Sequence, residues 1–166
     1  MSQSSSESVR SGSGAGKRSR SGKPGQGSGT SARSKARREA LDILFEAEQR
    51  GKRPLEMLAE RVAHPARVNP PRAFAAQIVE GVADHWAAID DAISTYSQGW
   101  ALDRLPAVDR AALRVGTWEV LYHDETPDGV AVAEAVALVA DLSTDSSPSF
   151  VNGLLSRIVE VKSTLV

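Results

Sequence analysis

The chain has 166 residues, 41% of them hydrophobic, and no cysteine, so one domain plus a tail fits while disulfides and thiolate metal sites are excluded. Its net charge of −1 divides unevenly: residues 1–38 hold nine Lys or Arg and one acid, a balance of +8, and residues 39–166 hold eleven bases and twenty acids, a balance of −9. A basic arm on an acidic body suits a polyanion at one end and a basic partner on the other, although a solubilising tail on an ordinary acidic domain has the same composition.

Residues 1–31 contain eighteen Ser or Gly. Too few apolar side chains occur there to offset the ordering entropy, so a disordered basic tail is expected. The tail lacks the apolar stretch of a secretory signal. No apolar run approaches the ~20 residues of a membrane span. The most apolar stretch, 130–142, is too short and contains Glu134.

From residue 32 the apolar spacing is helical. Residues 36, 40, 43, 44 and 47 share one face of a first helix, which Gly51 and Pro54 end before a second at about 54–63. "HPARVNPPR" predicts a loop, with Pro71 near the next helix start. Phe74, Ile78, Val82, Trp86, Ile89, Ile93 and Tyr96 predict one long helix stopped by Gly99. A short "LDRLP" connector follows, with Asp103 as its expected cap. The apolar stripe from Val108 to Tyr122 predicts a further helix. The next begins with Thr126 as cap and Pro127 as first residue, and the last with Ser147 as cap and Pro148 as first residue. No segment alternates in the manner of a strand. The expected fold is all-α, a bundle of six or seven helices over residues 32–166.

Candidate chemistry is sparse. His64, His85 and His123 lie on separate elements, without a metal-ligand spacing, and the clustered glycines follow no strand. Asp90 and Asp91 diverge by about 100° on a helix and are expected to face solvent rather than work as an acid–base pair. The serines at 143–149 suit capping better than nucleophilic catalysis, which needs an activating base. No enzyme, metal site or cofactor is implied. What remains is binding. Arg33, Lys35, Arg37 and Arg38 crowd the start of the first helix, where the macrodipole disfavours cations and free N–H groups favour anions. If about four cations each neutralise one phosphate of a single strand, affinity falls with a log–log salt slope near −3. A solvated charged face is the plainer alternative.

Three stretches carry a family likeness: "LPAVDRAALRVGTWEVL" at 105–121, "TPDGVAVAEAVALVADLS" at 126–143 and "SPSFVNGLLSRI" at 147–158. With "ARSKARREALDILFEAE" at the front, the sequence resembles the NusB transcription antitermination family over about 32–160. In "FVNGLL" the helical period continues through Asn-Gly, so a turn is disfavoured, and Gly153 is expected to permit close helix packing.

The resemblance implies two small helical bundles joined by long helices, and a cytoplasmic, bacterial, non-catalytic role. It implies binding of boxA RNA in nascent transcripts together with NusE, a basic small-subunit ribosomal protein. Other Nus factors and RNA polymerase complete the assembly, notably on ribosomal RNA operons. By position, the family's basic run falls on Arg33, Lys35 and Arg37, with Arg38 adjoining, and its RNA-facing aromatic on Phe150. Phe45 and Asp109 match positions tied to partner docking, Asp109 to NusE. Phe45 and Phe150 equally suit core positions. Arg110 and Arg114 are expected to pair with Glu119 or Asp109 inside the fold. The family includes monomers and dimers, so a homodimer stays open.

Ser146 stands where the family has Asp, and Ala133 and Ala140 stand where many members have Asn or Asp and Lys. Two rival functions remain. One is an accessory module like the NusB-like N-terminal domain of some RNA cytosine methyltransferases, and the other is a general helical interaction or DNA-binding protein.

Overall fold

The apolar face of the first helix, α1 (Ala32–Gln49), is buried: Ala36, Ala40, Leu41, Ile43, Leu44 and Ala47 are each 3% exposed or less. Ser31 caps it, its Oγ accepting from the Ser34 N–H at 3.0 Å. Gly51 closes it with φ +61°, a left-handed turn that a Cβ would strain. The Lys52 N–H reaches the Ala47 carbonyl at 2.8 Å and the Gly51 N–H reaches Glu48 at 3.2 Å, a Schellman closure that occupies two orphan carbonyls.

This computed structural model describes residues 31–65 and 69–166. The expected tail up to residue 30, and residues 66–68 of the expected loop, lie outside the described residues. Among the described residues there are seven α-helices and no strand. After α1 come α2 (Pro54–Ala63), α3 (Ala73–Asp84), α4 (Trp86–Tyr96), a 3-10 turn (Leu102–Arg104), α5 (Ala107–Tyr122), α6 (Asp128–Leu142) and α7 (Ser147–Leu165). None of these helices is long and apolar enough to cross a membrane.

The helices α1, α2 and α3 pack on one another, while α4, α6 and α7 gather on α5. Because α5 also lies against α1 and α3, it joins the two groups. Twelve of its sixteen residues are buried, including Asp109, Arg114 and Glu119. A helix buried on nearly all sides is ordinarily apolar all round. These charges therefore need partners inside the fold. Close approach occurs at two glycines. A Cβ on Gly81 would lie 1.9 Å from Trp118 Nε1, and one on Gly116 would lie 2.7 Å from a Leu155 methyl.

Several local expectations are corrected. The long helix predicted over 74–96 breaks at His85, whose φ of −114° and ψ of 22° leave the helical region. The sequence has no proline there. The His85 ring stacks on Tyr122 of α5 at 3.7 Å, and the break redirects the chain from α1 and α2 toward α7. Asp103 lies within the 3-10 turn, and Ala101 occupies its cap position. Pro127 and Ser146, rather than Thr126 and Ser147, precede the first turns of α6 and α7. Each displaced residue has a buried partner instead: Thr126 Oγ1 donates to Glu119 and Ser147 Oγ to Asp109. Gly153 is not a packing glycine, since a Cβ there would meet nothing within 4 Å.

Candidate functional site

The four cations of α1 separate into different environments. Arg37 is 3% exposed and Glu119, on α5, is 1% exposed. Arg37 Nε donates to Oε2 and Nη2 to Oε1, each at 2.8 Å, so the planar fork meets the carboxylate with two parallel bonds. Arg37 Nη1 also lies 3.6 Å from Glu134 of α6, which accepts from Ser34 Oγ at 2.8 Å. The cluster fastens the start of α1 to α5 and α6. Arg37 was expected on the RNA surface; its side chain is instead consumed inside the fold, because a desolvated guanidinium needs a matched anion.

The other three stay outside. Arg33 is 51% exposed, with its guanidinium 4.6 Å from the Phe74 ring centroid and 3.7 Å from Glu125. Lys35 and Arg38 are exposed. Arg38 borders a shallow groove against α6 with Ser34, Ala133 and Glu134. Ala133, one of the departures from the family pattern, thus faces the basic helix start. Phe74, 41 positions along the chain from Arg33, lays an aromatic ring under that cation, a role beyond the core position that the periodicity assigned.

Phe150 is half-buried on the core and borders a second hollow at the opposite bundle. Asn152 beside it is exposed. Phe45 is half-buried and packs on the core. Asp109 is 3% exposed, its Oδ2 accepting from Ser147 Oγ at 2.8 Å. Its Oδ1 is buried with no hydrogen-bond partner among the described residues. Asp109 therefore joins α5 to α7 and does not present its carboxylate at the surface.

Arg110 and Arg114 do pair within the fold, but with other acids. Both reach Glu48 of α1, and Arg114 Nε donates to Asp90 at 2.9 Å. Asp90 is therefore an ion-pair partner and not a solvent-facing residue. Arg114 also lies 4.0 Å from the Trp86 ring centroid. Arg110 Nη1 donates to the Leu102 and Leu105 carbonyls, fixing the 3-10 turn. Its hydrogen bond holds the Glu48 carboxyl below the ordinary glutamate range, against the opposing effect of burial. The same bond raises Arg110.

A helical scaffold whose buried arginines, Arg37 and Arg114, are matched by carboxylates, with cations and aromatic rings left at two surfaces, has the form of a binding protein. The chain belongs to the NusB family, whose sequence profile matches residues 34–160. It is 57% identical over 136 residues to a transcription antitermination protein NusB of Kineococcus radiotolerans, covering 81% of this chain and 98% of that protein. A transcription antitermination protein NusB of an Arthrobacter species is 56% identical, covering 82% and 98%. The fold resembles T. maritima NusB with a TM-score of 0.68 at 30% identity, over 80% of this chain and 93% of that one. It also resembles a chain of a crystal structure of antitermination factors NusB and NusE in complex with dsRNA, at TM-score 0.67 and 30% identity, over 78% and 96%.

Proposed function

We propose that this chain is a transcription antitermination factor that binds boxA-type single-stranded RNA of nascent transcripts together with NusE. It joins other Nus factors on RNA polymerase in the bacterial cytoplasm, notably on ribosomal RNA operons. Its activity is assembly, without a catalytic step. The observation that carries this reading is the set of exposed cations Arg33, Lys35 and Arg38 at a capped helix start, with the Arg33 guanidinium over the Phe74 ring. Phosphates there meet both side-chain cations and the positive end of α1. Residues 32–166, with Ser31 as the cap of α1, form the binding module, and the chain before them serves as a basic tether. The acidic body, with Phe45 at its contact face, receives the basic NusE protein.

The accessory-module alternative loses ground because the antitermination relatives are matched over 98% of their own length. The test is fluorescence anisotropy with boxA-type and scrambled RNA, with and without NusE, across a salt series. Three phosphate contacts give a log–log slope near −2 at ~0.7 per cation. Replacing Arg33, Lys35 and Arg38 together by alanine is expected to flatten that slope. An unchanged slope overturns the site. Equal affinity for both RNAs in both conditions reduces the function to nonspecific polyanion binding. Arg37 is left intact, because its loss would remove an interior ion pair and confound the measurement.

A further inference from the structure

The turn that leaves α4 holds a tryptophan away from the core. Trp100 is 58% exposed, although Trp86 and Trp118 are both packed against the fold. Its backbone is firmly fixed. Ser97 is 2% exposed, and its Oγ donates to the Trp100 carbonyl at 2.6 Å. Gln98 and Gly99 adopt consecutive positive φ angles of 49° and 88°. A non-glycine residue persists there only when its surroundings determine the conformation. The indole is thus presented by a fixed turn.

Beside it lies a hollow of about 250 Å³, bordered by Trp100, Gln98, Ser149, Phe150, Gly153 and Arg157 among others. Phe150, Gly153 and Arg157 share one face of α7, at spacings of three and four. With no side chain at Gly153, and open space above it, the floor between the ring and the guanidinium stays flat. Arg157 Nη1 donates to the Tyr96 carbonyl at 3.2 Å, which holds the cation at the rim. No carboxylate borders the hollow, although acids outnumber bases twenty to eleven over residues 39–166.

We propose that Trp100 is a base-stacking platform. One unstacked base of the bound single strand lies against the indole with Phe150 as the second wall, and its backbone phosphate faces Arg157. Gln98 and Ser149 offer hydrogen-bonding groups to the edge of the base. Two aromatic rings, one cation and a small hollow match a ligand that has both a planar π-face and a negative charge. An aliphatic side chain of a protein partner would use the rings and leave Arg157 unused. An acidic peptide would use Arg157 and leave the rings unused. The inference rests on the RNA-binding reading and adds Trp100 at the α4 exit and Arg157 to Phe150, the RNA-facing aromatic that the family resemblance implies.

The test compares the full-length wild type with Trp100→Ala and Trp100→Phe, using boxA-type RNA with and without NusE. Trp100→Ala is expected to weaken RNA binding about tenfold, the scale of one lost base–aromatic stack. The salt slope should stay unchanged, because no cation is removed. Trp100→Phe should retain most of the affinity. Quenching of tryptophan fluorescence by RNA should persist in Trp100→Phe only to the extent that Trp86 and Trp118 contribute. Equal RNA affinity of the wild type and both variants overturns the stacking role while leaving the RNA-binding reading intact. Loss of NusE binding with RNA affinity unchanged also overturns it, assigning the indole to a protein contact. Failure of the wild type to bind either RNA overturns the antitermination reading itself.

Discussion

The cluster around Arg37 and the hollow beside Trp100 use similar side chains for opposite ends. At Arg37, a guanidinium, two glutamates, Ser34 and Thr126 complete one another's hydrogen bonds inside the protein. At Trp100, a guanidinium and two aromatic rings stand around an open space with no acid among the bordering residues. Where charge is matched from within, it fastens helices. Where it is left open on a fixed backbone, it is available to a ligand.

The largest test of that contrast removes one member of the interior pair. Glu119→Ala strands Arg37 in a desolvated site and should cost about 3–5 kcal/mol, measured by denaturant unfolding. A loss below 1 kcal/mol would mean that water reaches Arg37 and that the cluster is not closed. Next come two glycines, one packed against Trp118 in the interior and one bordering the hollow. Gly81→Ala drives a methyl into Trp118 and should cost at least ~1–3 kcal/mol. Gly153→Ala meets open space within a helix and should stabilise by up to ~1 kcal/mol, so the two melting temperatures should move in opposite directions. A loss of stability in Gly153→Ala would restore the packing role that the sequence pattern suggested.

The smallest effect is pH-dependent. The folded Glu48 carboxyl is depressed, chiefly by its hydrogen bond from Arg110, so its stabilisation is fully present above the unfolded value. It is lost as pH falls from about 4 through the folded value, when the carboxylate takes up its proton. Glu48→Gln should be less stable than the wild type near neutrality, with the difference narrowing on acidification. A constant difference across acid titration would remove Glu48 from the linkage.

Much of the fold was readable along the chain. The apolar faces of α1, α5, α6 and α7 follow helical spacing, and Gly51 marks a real helix end. The break at His85 was not readable, because no proline or local signal causes it; it coincides with a ring stack on α5, which only the folded arrangement brings near. The candidate site was half readable. The basic run located the α1 surface, but Phe74 beneath Arg33 comes from α3, and Trp100 had no periodic or motif signal.

By itself the sequence determined that the protein is helical, that its charge is asymmetric, and which family it resembles. These follow from local spacing, composition and motif, all of which are properties of neighbouring residues. Tertiary structure decided which of the four cations between residues 33 and 38 face water. Arg37 turns inward because Glu119, 82 positions away, offers it a carboxylate in the interior. Arg33, Lys35 and Arg38 remain outside. The helix dipole acts mainly on Arg33 and Lys35 in the first turn and gives Arg37 no reason to be buried, so its inward turn comes from the distant partner that folding brings near.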